Sequence, residues 1–344
     1  MIGCPKFISM SHGQTQGYLP VVIALIGNVV VTVIKSIAAA ASGSSAMFSE
    51  AVHSFADTLN QALLLVGLKR SLKRADEEHA YGYGIERFFF GLISACGIFF
   101  VGAGVNAARG VEAFLHPETV VIQPVVFLVL GVSACVESYA FVVAARELAL
   151  QYPDHSWRER IRHADTSTLA VLLEDSVAVF CIFVAAATIG LAVATGDGRW
   201  DAVGSLVIAA LLAVVAVVLI LKNRSYVIGR AMPEDMREEV LEILNAEPSI
   251  EKVLDFRTSE IGLGIYRIKC DVEFNGSALA RELFEDWSVA DQFEEATESV
   301  ESFKRAMIDS LDRIPRLIGQ RIDEIETHVR ERFPEIQHID IEIN

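Results

Sequence analysis

One apolar stretch of this sequence contains four side chains that could hold a metal ion or accept a proton, namely Glu50, His53, Asp57 and Asn60. They follow one another at intervals of three, four and three residues, so a helix would place all four on one face. His53 and Asp57 lie one turn apart and can bind one ion through an imidazole nitrogen and a carboxylate oxygen. Such mixed ligands suit Zn²⁺ and its neighbours, whereas oxygen ligands alone favour harder cations. The alternative interpretation is a hydrogen-bonded stripe between packed helices.

A second apolar stretch carries two adjacent carboxylates, Glu174 and Asp175. Neighbouring residues on a helix point about 100° apart, so one of them can face the first stretch while the other points elsewhere. We expect Asp175 to meet His53 and Asp57 in a tetrahedral site whose fourth position is left for Glu174 or water. The predicted metal ligands are therefore His53, Asp57, Asp175 and Glu174. Alternatively, the two adjacent carboxylates mark the interfacial end of a membrane span.

The remaining ionisable and thiol groups in the apolar runs favour structural roles over metal binding. Lys35 and Glu137 have no neighbour at ligand spacing, and they could form an ion pair or act separately. The cysteines are scattered without a CxxC pair, which implies neither a disulfide framework nor a cysteine metal knuckle. Cys96, Cys135 and Cys181 lie in apolar runs, where a thiol usually behaves as a small hydrophobe.

Six apolar runs are long enough to cross a bilayer, since a spanning helix needs about 20 apolar residues. Hydrophobic residues make up 52% of the 344 residues, and they are concentrated in these runs. The sequence therefore predicts a polytopic α-helical membrane protein with six transmembrane helices. The predicted spans are Leu19–Ala41, Met47–Leu68, Phe88–Ala113, Ile122–Ala145, Thr168–Ala194 and Ala202–Leu221.

The distribution of basic residues predicts the orientation of these spans. Lysines and arginines cluster between spans two and three, between spans four and five, and after span six, whereas the opposite loops carry only Arg109 and Arg199. Because basic loops stay in the cytoplasm, we expect both termini to be cytoplasmic. The mixed, polar segment 1–17 lacks a signal-peptide pattern, so the first run is expected to be an anchor. With no organellar transit peptide visible, the inner (plasma) membrane is the default location.

The charge distribution indicates a separate C-terminal domain. Residues 1–230 are nearly neutral, with a net charge of −1, whereas the remaining residues carry −15 of the total −16. The expected domains are a cytoplasmic segment 1–17, a membrane domain 18–228 and a cytoplasmic domain 229–344 with an acidic insertion near 276–302. Periodicity predicts a helix, two strands, a long helix and a last strand, which is an α+β arrangement. Their predicted bounds are Glu234–Leu244, Lys252–Ser259, Tyr266–Phe274, Ser299–Phe333 with an interruption near Pro315, and Ile336–Ile343.

Three motifs of this sequence are specific when they occur together. The run from Ser45 to Asp57, with His53 and Asp57 as HxxxD, resembles the second span of the cation diffusion facilitators, a family of metal transporters whose metal site uses HxxxD or DxxxD there. The loop 76–84, DEEHAYGYG, resembles the family's inner loop, and Arg230-Ala231-Met232-Pro233-Glu234 resembles its link into the cytoplasmic domain. The resemblance covers nearly the whole chain. It implies proton-coupled export of Zn²⁺ or a similar ion (Mn²⁺, Fe²⁺, Co²⁺ or Cd²⁺) by a homodimer, with a ferredoxin-like, metallochaperone-like tail and no cofactor.

Two departures from the family pattern bear on the metal site. The family's fifth span usually also carries HxxxD, but Val171 stands four residues before Asp175. The resulting motif, and Glu137, are similar to the branch that contains the mitochondrial zinc transporter. In the inner loop Tyr83 stands where some relatives have a second histidine, so a weak or absent second metal site is expected there.

Other classes of function fit the sequence less well. The acidic balance provides no basic stripe for nucleic acid. An intramembrane metalloenzyme would need a motif such as HExxH, which is absent, so no enzymatic activity is expected. A membrane metal sensor or scaffold that signals through the tail, without transport, remains the main alternative.

Overall fold

The computed structural model describes residues 18–117, 124–151, 153, 156–163, 166–285, 293–294 and 296–344. The chain forms two compact units that divide between Val227 and Ile228. Each unit has its own hydrophobic core.

The first unit is helical throughout its described secondary structure. Residues 86–115 run as one helix through a π-helical turn, Ile98–Ala103. Such turns are rare and often lie near functional sites. The helices are α1 (Tyr18–Ser42), α2 (Ser45–Ser71), α3 (Glu86–Gly97), α4 (Gly104–Leu115), α5 (Pro124–Gln151), α6 (Trp157–His163), α7 (Thr166–Thr195) and α8 (Arg199–Val227).

Five segments of these helices are long and apolar enough to cross a membrane: Leu25–Ser42, Glu86–Leu115, Val126–Leu150, Leu172–Thr195 and Arg199–Val227. Many of their large apolar side chains are exposed on the outside of the bundle, which is the pattern that lipid contact requires. The predicted start of the fourth span, residues 122–123, lies outside the described residues.

α2 is the sixth predicted span, and it does not qualify by composition because polar residues interrupt it. It is long enough, since 27 residues make a helix of about 40 Å. α2 packs against α1, α3, α4, α7 and α8. The polar face of α2 is therefore packed against other helices, whereas Phe55, Leu59 and Val66 on its other side are exposed.

A buried carboxylate fixes the start of α2. The chain turns between α1 and α2 at Gly43, whose φ of +64° suits glycine. Asp201, in the first turn of α8, accepts hydrogen bonds from Ser44 Oγ (2.7 Å), Ser45 N (2.5 Å) and Ala46 N (3.2 Å). The otherwise unpaired amides at a helix N-terminus favour such an anion. This contact holds α2, and its polar face, against α8.

The second unit is a mixed α+β domain, as predicted. Its elements are α9 (Glu234–Ala246), β1 (Ile250–Gly262), β2 (Ile265–Phe274), α10 (Gly276–Glu285), α11 (Val300–Arg332) and β3 (Ile336–Ile343). β1 and β2 pair antiparallel around the turn at Gly264, and β3 pairs parallel with β2, giving the order β1-β2-β3. α9 and the second half of α11 contribute Val240, Leu244, Ile325 and Val329 to the core of this unit.

The predicted interruption of the long helix near Pro315 is wrong. α11 is 33 residues long and continues through Pro315, although proline removes one helical hydrogen bond and crowds the preceding turn. The residues that follow it bury one apolar face against the sheet, which holds the second half of the helix in place. The predicted acidic insertion contains a helix of its own, α10, for part of its length.

Candidate metal site

The polar face predicted for α2 points into the helical unit. Glu50, His53 and Asn60 are each at most 3% exposed, and Asp57 is partly buried. Over ten residues at 1.5 Å each, these groups form a polar column about 15 Å long. A column of ionisable groups inside a bundle is costly and therefore indicates function.

The centre of the column is the predicted pair. His53 Nε2 lies 3.1 Å from Asp57 Oδ2, so the one-turn spacing does bring imidazole and carboxylate together. The second ring nitrogen of His53, Nδ1, is buried and makes no hydrogen bond with the described residues. The ring therefore has one nitrogen paired with a carboxylate and one nitrogen available as a ligand or donor.

An ion triad stands at the end of the column nearest the start of α2. Lys35 Nζ lies 3.0 Å from Glu50 Oε2 and 2.7 Å from Glu137 Oε1. Of the two roles considered for Lys35 and Glu137, ion pairing is the correct one, and Glu50 is a third member that sequence analysis missed. One ammonium faces two carboxylates, so Glu50 Oε1 and Glu137 Oε2 stay without hydrogen bonds among the described groups.

The other end of the column is a hydrogen-bonded rung between α2 and α7. Asn60 Nδ2 donates to Glu174 Oε2, and Ser94 Oγ donates to Asn60 Oδ1. Glu174 is 7% exposed, and its Oε1 has no partner in the described chain. The structure therefore places Glu174 beside Asn60.

The four predicted ligands do not converge in this structure. Within the described residues, no three of His53, Asp57, Glu174 and Asp175 bring potential ligand atoms within 4.8 Å of one another. Asp175 is partly buried. A site made of His53, Asp57 and Asp175 therefore requires these side chains to come closer together than they lie here, and it stays a prediction.

A cysteine that sequence analysis set aside does lie in the column. Potential ligand atoms of Glu50, His53 and Cys181 all fall within 4.8 Å of one another, and all three residues are buried. Cys181 lies seven residues after Glu174, just as Asn60 lies seven residues after His53. Seven residues are two helical turns. The contacts of Asn60 with Glu174 and of His53 with Cys181 are therefore two turns apart on both helices, and α2 and α7 run in opposite directions. This matched spacing identifies Cys181 only once the contact between Asn60 and Glu174 is known.

The inner loop between α2 and α3 is closed by its own side chains. Asp76 accepts hydrogen bonds from Lys73 Nζ (2.8 Å), Tyr83 OH (2.9 Å) and the amide of His79 (2.9 Å). These donors, Lys73 first, hold the pKa of Asp76 below its ordinary value. The His79 ring packs on Tyr83, with 4.2 Å between ring centroids. Tyr83 thus bonds to the carboxylate that a metal at this loop would require.

Comparisons with known proteins agree with this architecture. A sequence profile described as "Cation efflux transmembrane domain" matches residues 21–228. The human protein named "Proton-coupled zinc antiporter SLC30A9, mitochondrial" is 33% identical over 306 residues, which cover 88% of this chain and 54% of that protein. "Metal tolerance protein C4" of Arabidopsis thaliana is 33% identical over 317 residues, or 88% of this chain and 68% of that protein. "Cation-efflux pump FieF" of Shewanella oneidensis is 27% identical over 248 residues, which cover 71% of this chain and 77% of that protein.

The match to the zinc antiporters is partial in length. This chain spans about half of each of those proteins, since the alignment with the human and mouse forms covers 54% of each. The aligned part covers 306 residues of this chain, so it extends from the helical unit into the second unit.

Proposed function

The chain belongs to the cation efflux family, the cation diffusion facilitators, and we propose that it carries divalent metal cations across a membrane in exchange for protons. It is a multi-pass membrane protein. Zn²⁺ is the proposed main substrate, and Mn²⁺, Fe²⁺, Co²⁺ and Cd²⁺ are candidates for the same site. Relatives whose names describe proton-coupled zinc antiport and metal tolerance support this proposal.

The observation that carries the proposal is the His53–Asp57 pair inside the apolar bundle. Both side chains are potential zinc ligands, and their nitrogen and oxygen already lie 3.1 Å apart. A zinc ion bonds to each such atom at about 2.0–2.2 Å, so it can bind both groups after their direct contact opens. Glu174 and Asp175 lie on the neighbouring helix α7 and could complete the site, with water as the alternative fourth ligand.

Proton exchange follows from the chemistry of these ligands. Metal ligation requires a neutral imidazole and ionised carboxylates, so metal binding releases protons, and protonation releases metal. A proton gradient across the membrane can therefore drive the ion in the opposite direction. In the proposed cycle a cytosolic ion binds His53, Asp57 and Asp175, the helices rock, and protons from the other side displace the ion.

The orientation and assembly are parts of the same proposal. The basic loops favour cytoplasmic termini, so the second unit would be cytoplasmic. We infer a homodimer from the family resemblance, with the bacterial-type plasma membrane as the default location. The relatives named as mitochondrial make an organellar membrane the alternative.

Zinc flux into proteoliposomes tests the proposal. Vesicles loaded with a zinc-sensitive dye would be compared with and without an imposed pH gradient, for the wild type and for Asp57→Asn, which keeps the side-chain shape but removes the charge. The wild type should transport Zn²⁺ at a rate that follows the gradient, and the variant should not. Cys135→Ala is the matched control, because Cys135 is exposed on the surface of the helical unit.

Two results would contradict the proposal. Unimpaired flux in Asp57→Asn would remove Asp57 from the site. Absence of flux for every metal, in folded and inserted wild-type protein that still binds metal, would instead favour a sensor or scaffold.

A further inference from the structure

We propose that Glu50, His53 and Cys181 form a second cation site in the polar column, on the opposite side of His53 from Asp57. Its ligands would be Glu50 Oε1, His53 Nδ1 and Cys181 Sγ. The site would take soft or borderline divalent ions, with Cd²⁺ and Zn²⁺ ahead of Mn²⁺. This inference deepens the proposed transport function. Metal binding at the site does not depend on that function, but the position of the site on the route of a transported ion does.

Burial and missing partners support the site. Glu50 is 1% exposed, His53 2% and Cys181 0%, and potential ligand atoms of the three residues lie within 4.8 Å of one another. Glu50 Oε1 and His53 Nδ1 are both buried, and neither makes a hydrogen bond with the described residues. Buried polar atoms are normally paired. Two unpaired ligand atoms of different kinds beside one thiol are explained if a cation binds between them.

The neighbouring contacts leave these atoms free for an ion. Lys35 binds the other oxygen of Glu50, Oε2, at 3.0 Å, and Asp57 contacts the other ring nitrogen of His53, Nε2, at 3.1 Å. Each neighbour therefore fixes the orientation of a ligand without using its free atom. Partners that orient ligands in this way are typical of metal sites.

The charges of the two anionic ligands also match the charge of a divalent ion. Lys35 offsets the charge of Glu137, to which it is also bonded at 2.7 Å. Glu50 and a Cys181 thiolate then supply two negative charges against the two positive charges of the ion. The thiolate is the binding form, so Cys181 releases one proton when the metal–sulfur bond forms.

Cys181 would set the chemical preference of the site. Thiolates select zinc-like and softer ions, whereas carboxylates and water suit Mn²⁺ and Mg²⁺. The position of His53 between this site and Asp57 gives an ion two adjacent places to bind along α2.

Binding of Co²⁺ provides a direct test, because a cobalt–thiolate bond produces a charge-transfer absorption band. The full chain in lipid nanodiscs would be titrated with Co²⁺ as wild type, as Cys181→Ala and as Cys135→Ala, the matched control. A fourth protein would retain Cys181 but carry alanine at the other four cysteines. That protein keeps the test valid if Cys181→Ala alone folds poorly. Its other cysteines are Cys4, Cys96, Cys135 and Cys270.

The band should appear in the wild type, in Cys135→Ala and in the protein whose only cysteine is Cys181, and it should be lost in Cys181→Ala. In calorimetric competition against Co²⁺, which does not depend on the thiolate band, the preference for Cd²⁺ over Mn²⁺ should fall about tenfold or more in Cys181→Ala, since weaker changes around metal sites already cost 10–100-fold. A band that persists in folded Cys181→Ala, or that is missing from the protein with Cys181 alone, would overturn the site.

Zinc flux separates this result from the proposed function. A Cys181-dependent band in a wild type that does not transport would support the site and contradict transport. Flux that depends on Asp57 without any thiolate band would support transport and overturn this site.

Discussion

Replacing Lys35 by methionine would remove the ammonium group that contacts both Glu50 and Glu137. The contacts are 3.0 and 2.7 Å long, and Lys35 and Glu50 are each 1% exposed. Methionine fills much of the same space with an unbranched apolar chain, so the main change is the loss of charge and hydrogen bonds. Two buried carboxylates would then face each other without a cation.

The expected cost follows from this uncompensated charge. Removing one partner of a buried ion pair destabilises a protein by about 3–5 kcal/mol. At roughly 2–4 °C per kcal/mol for a domain of this size, the unfolding temperature should fall by about 6–20 °C. The double variant Lys35→Met/Glu137→Gln removes one of the stranded carboxylates as well. Its loss of unfolding free energy should therefore be smaller than the sum of the losses of the two single variants. The difference, the coupling energy, should be about 1–3 kcal/mol.

Thermal unfolding of the purified protein in detergent measures these differences, and Lys304→Met provides the control. Lys304 pairs with Glu301 at the surface, where the two side chains are 65% and 77% exposed, so its loss should cost at most about 1 kcal/mol. A Lys35→Met protein that unfolds at the same temperature as Lys304→Met would refute the argument that the triad is a buried, interdependent unit. If the losses of unfolding free energy of the two single variants add up to the loss of the double variant, the coupling is refuted.

Three further predictions concern contacts elsewhere in the chain. Asp201→Ala removes the acceptor for three groups at the start of α2. It should lower the free energy of unfolding by about 2 kcal/mol, the upper end for loss of a helix cap. The same thermal unfolding assay measures this loss. Burial raises the pKa of Cys270 to about 12, so at neutral pH its thiolate fraction should be about a thousandfold below that of an ordinary cysteine. Mass spectrometry should find Cys270 unalkylated in the native protein and alkylated in urea, and rapid native labelling would contradict the burial. Pro315→Ala restores a hydrogen bond in the exposed middle of α11 and should stabilise that helix by up to about 3 kcal/mol, seen as slower proteolysis within it; faster cleavage would contradict this.

Elements with a regular periodicity could be predicted from the sequence. The intervals between Glu50, His53, Asp57 and Asn60 correctly placed four polar groups on one inward face of α2. The last strand was predicted with the observed bounds, Ile336–Ile343, because its apolar residues alternate. Both are properties of a single element, and a local pattern is sufficient to reveal them.

The contacts between elements could not be predicted in the same way. Glu50 pairs with Lys35 and, through it, with Glu137, which lies 102 residues from Lys35 in sequence. Cys181 resembles any small apolar residue until the rung between Asn60 and Glu174 fixes how α7 lies against α2. The bonding partners of these groups depend on helix packing, which a one-dimensional pattern does not specify.

The proline in α11 was misjudged for a related reason. Local propensity ends a helix near Pro315, but that propensity is a weak prior when tertiary packing opposes it. Ile325 and Val329, which follow the proline, are buried in the core of the second unit. That burial holds the part of the helix after Pro315 in place, whereas the large apolar residues before it, such as Ile308 and Leu311, are exposed.

Locating a bound ion would show whether metal binds in the polar column of α2. An anomalous-difference map at the zinc edge, from crystals of the full chain grown with Zn²⁺, should show a peak about 2.0–2.1 Å from a ring nitrogen of His53. A peak on the Nε2 side would identify the site with Asp57, and a peak on the Nδ1 side would identify the site with Cys181. Zinc bound only outside the polar column, with His53 and Asp57 still in direct contact, would contradict the account.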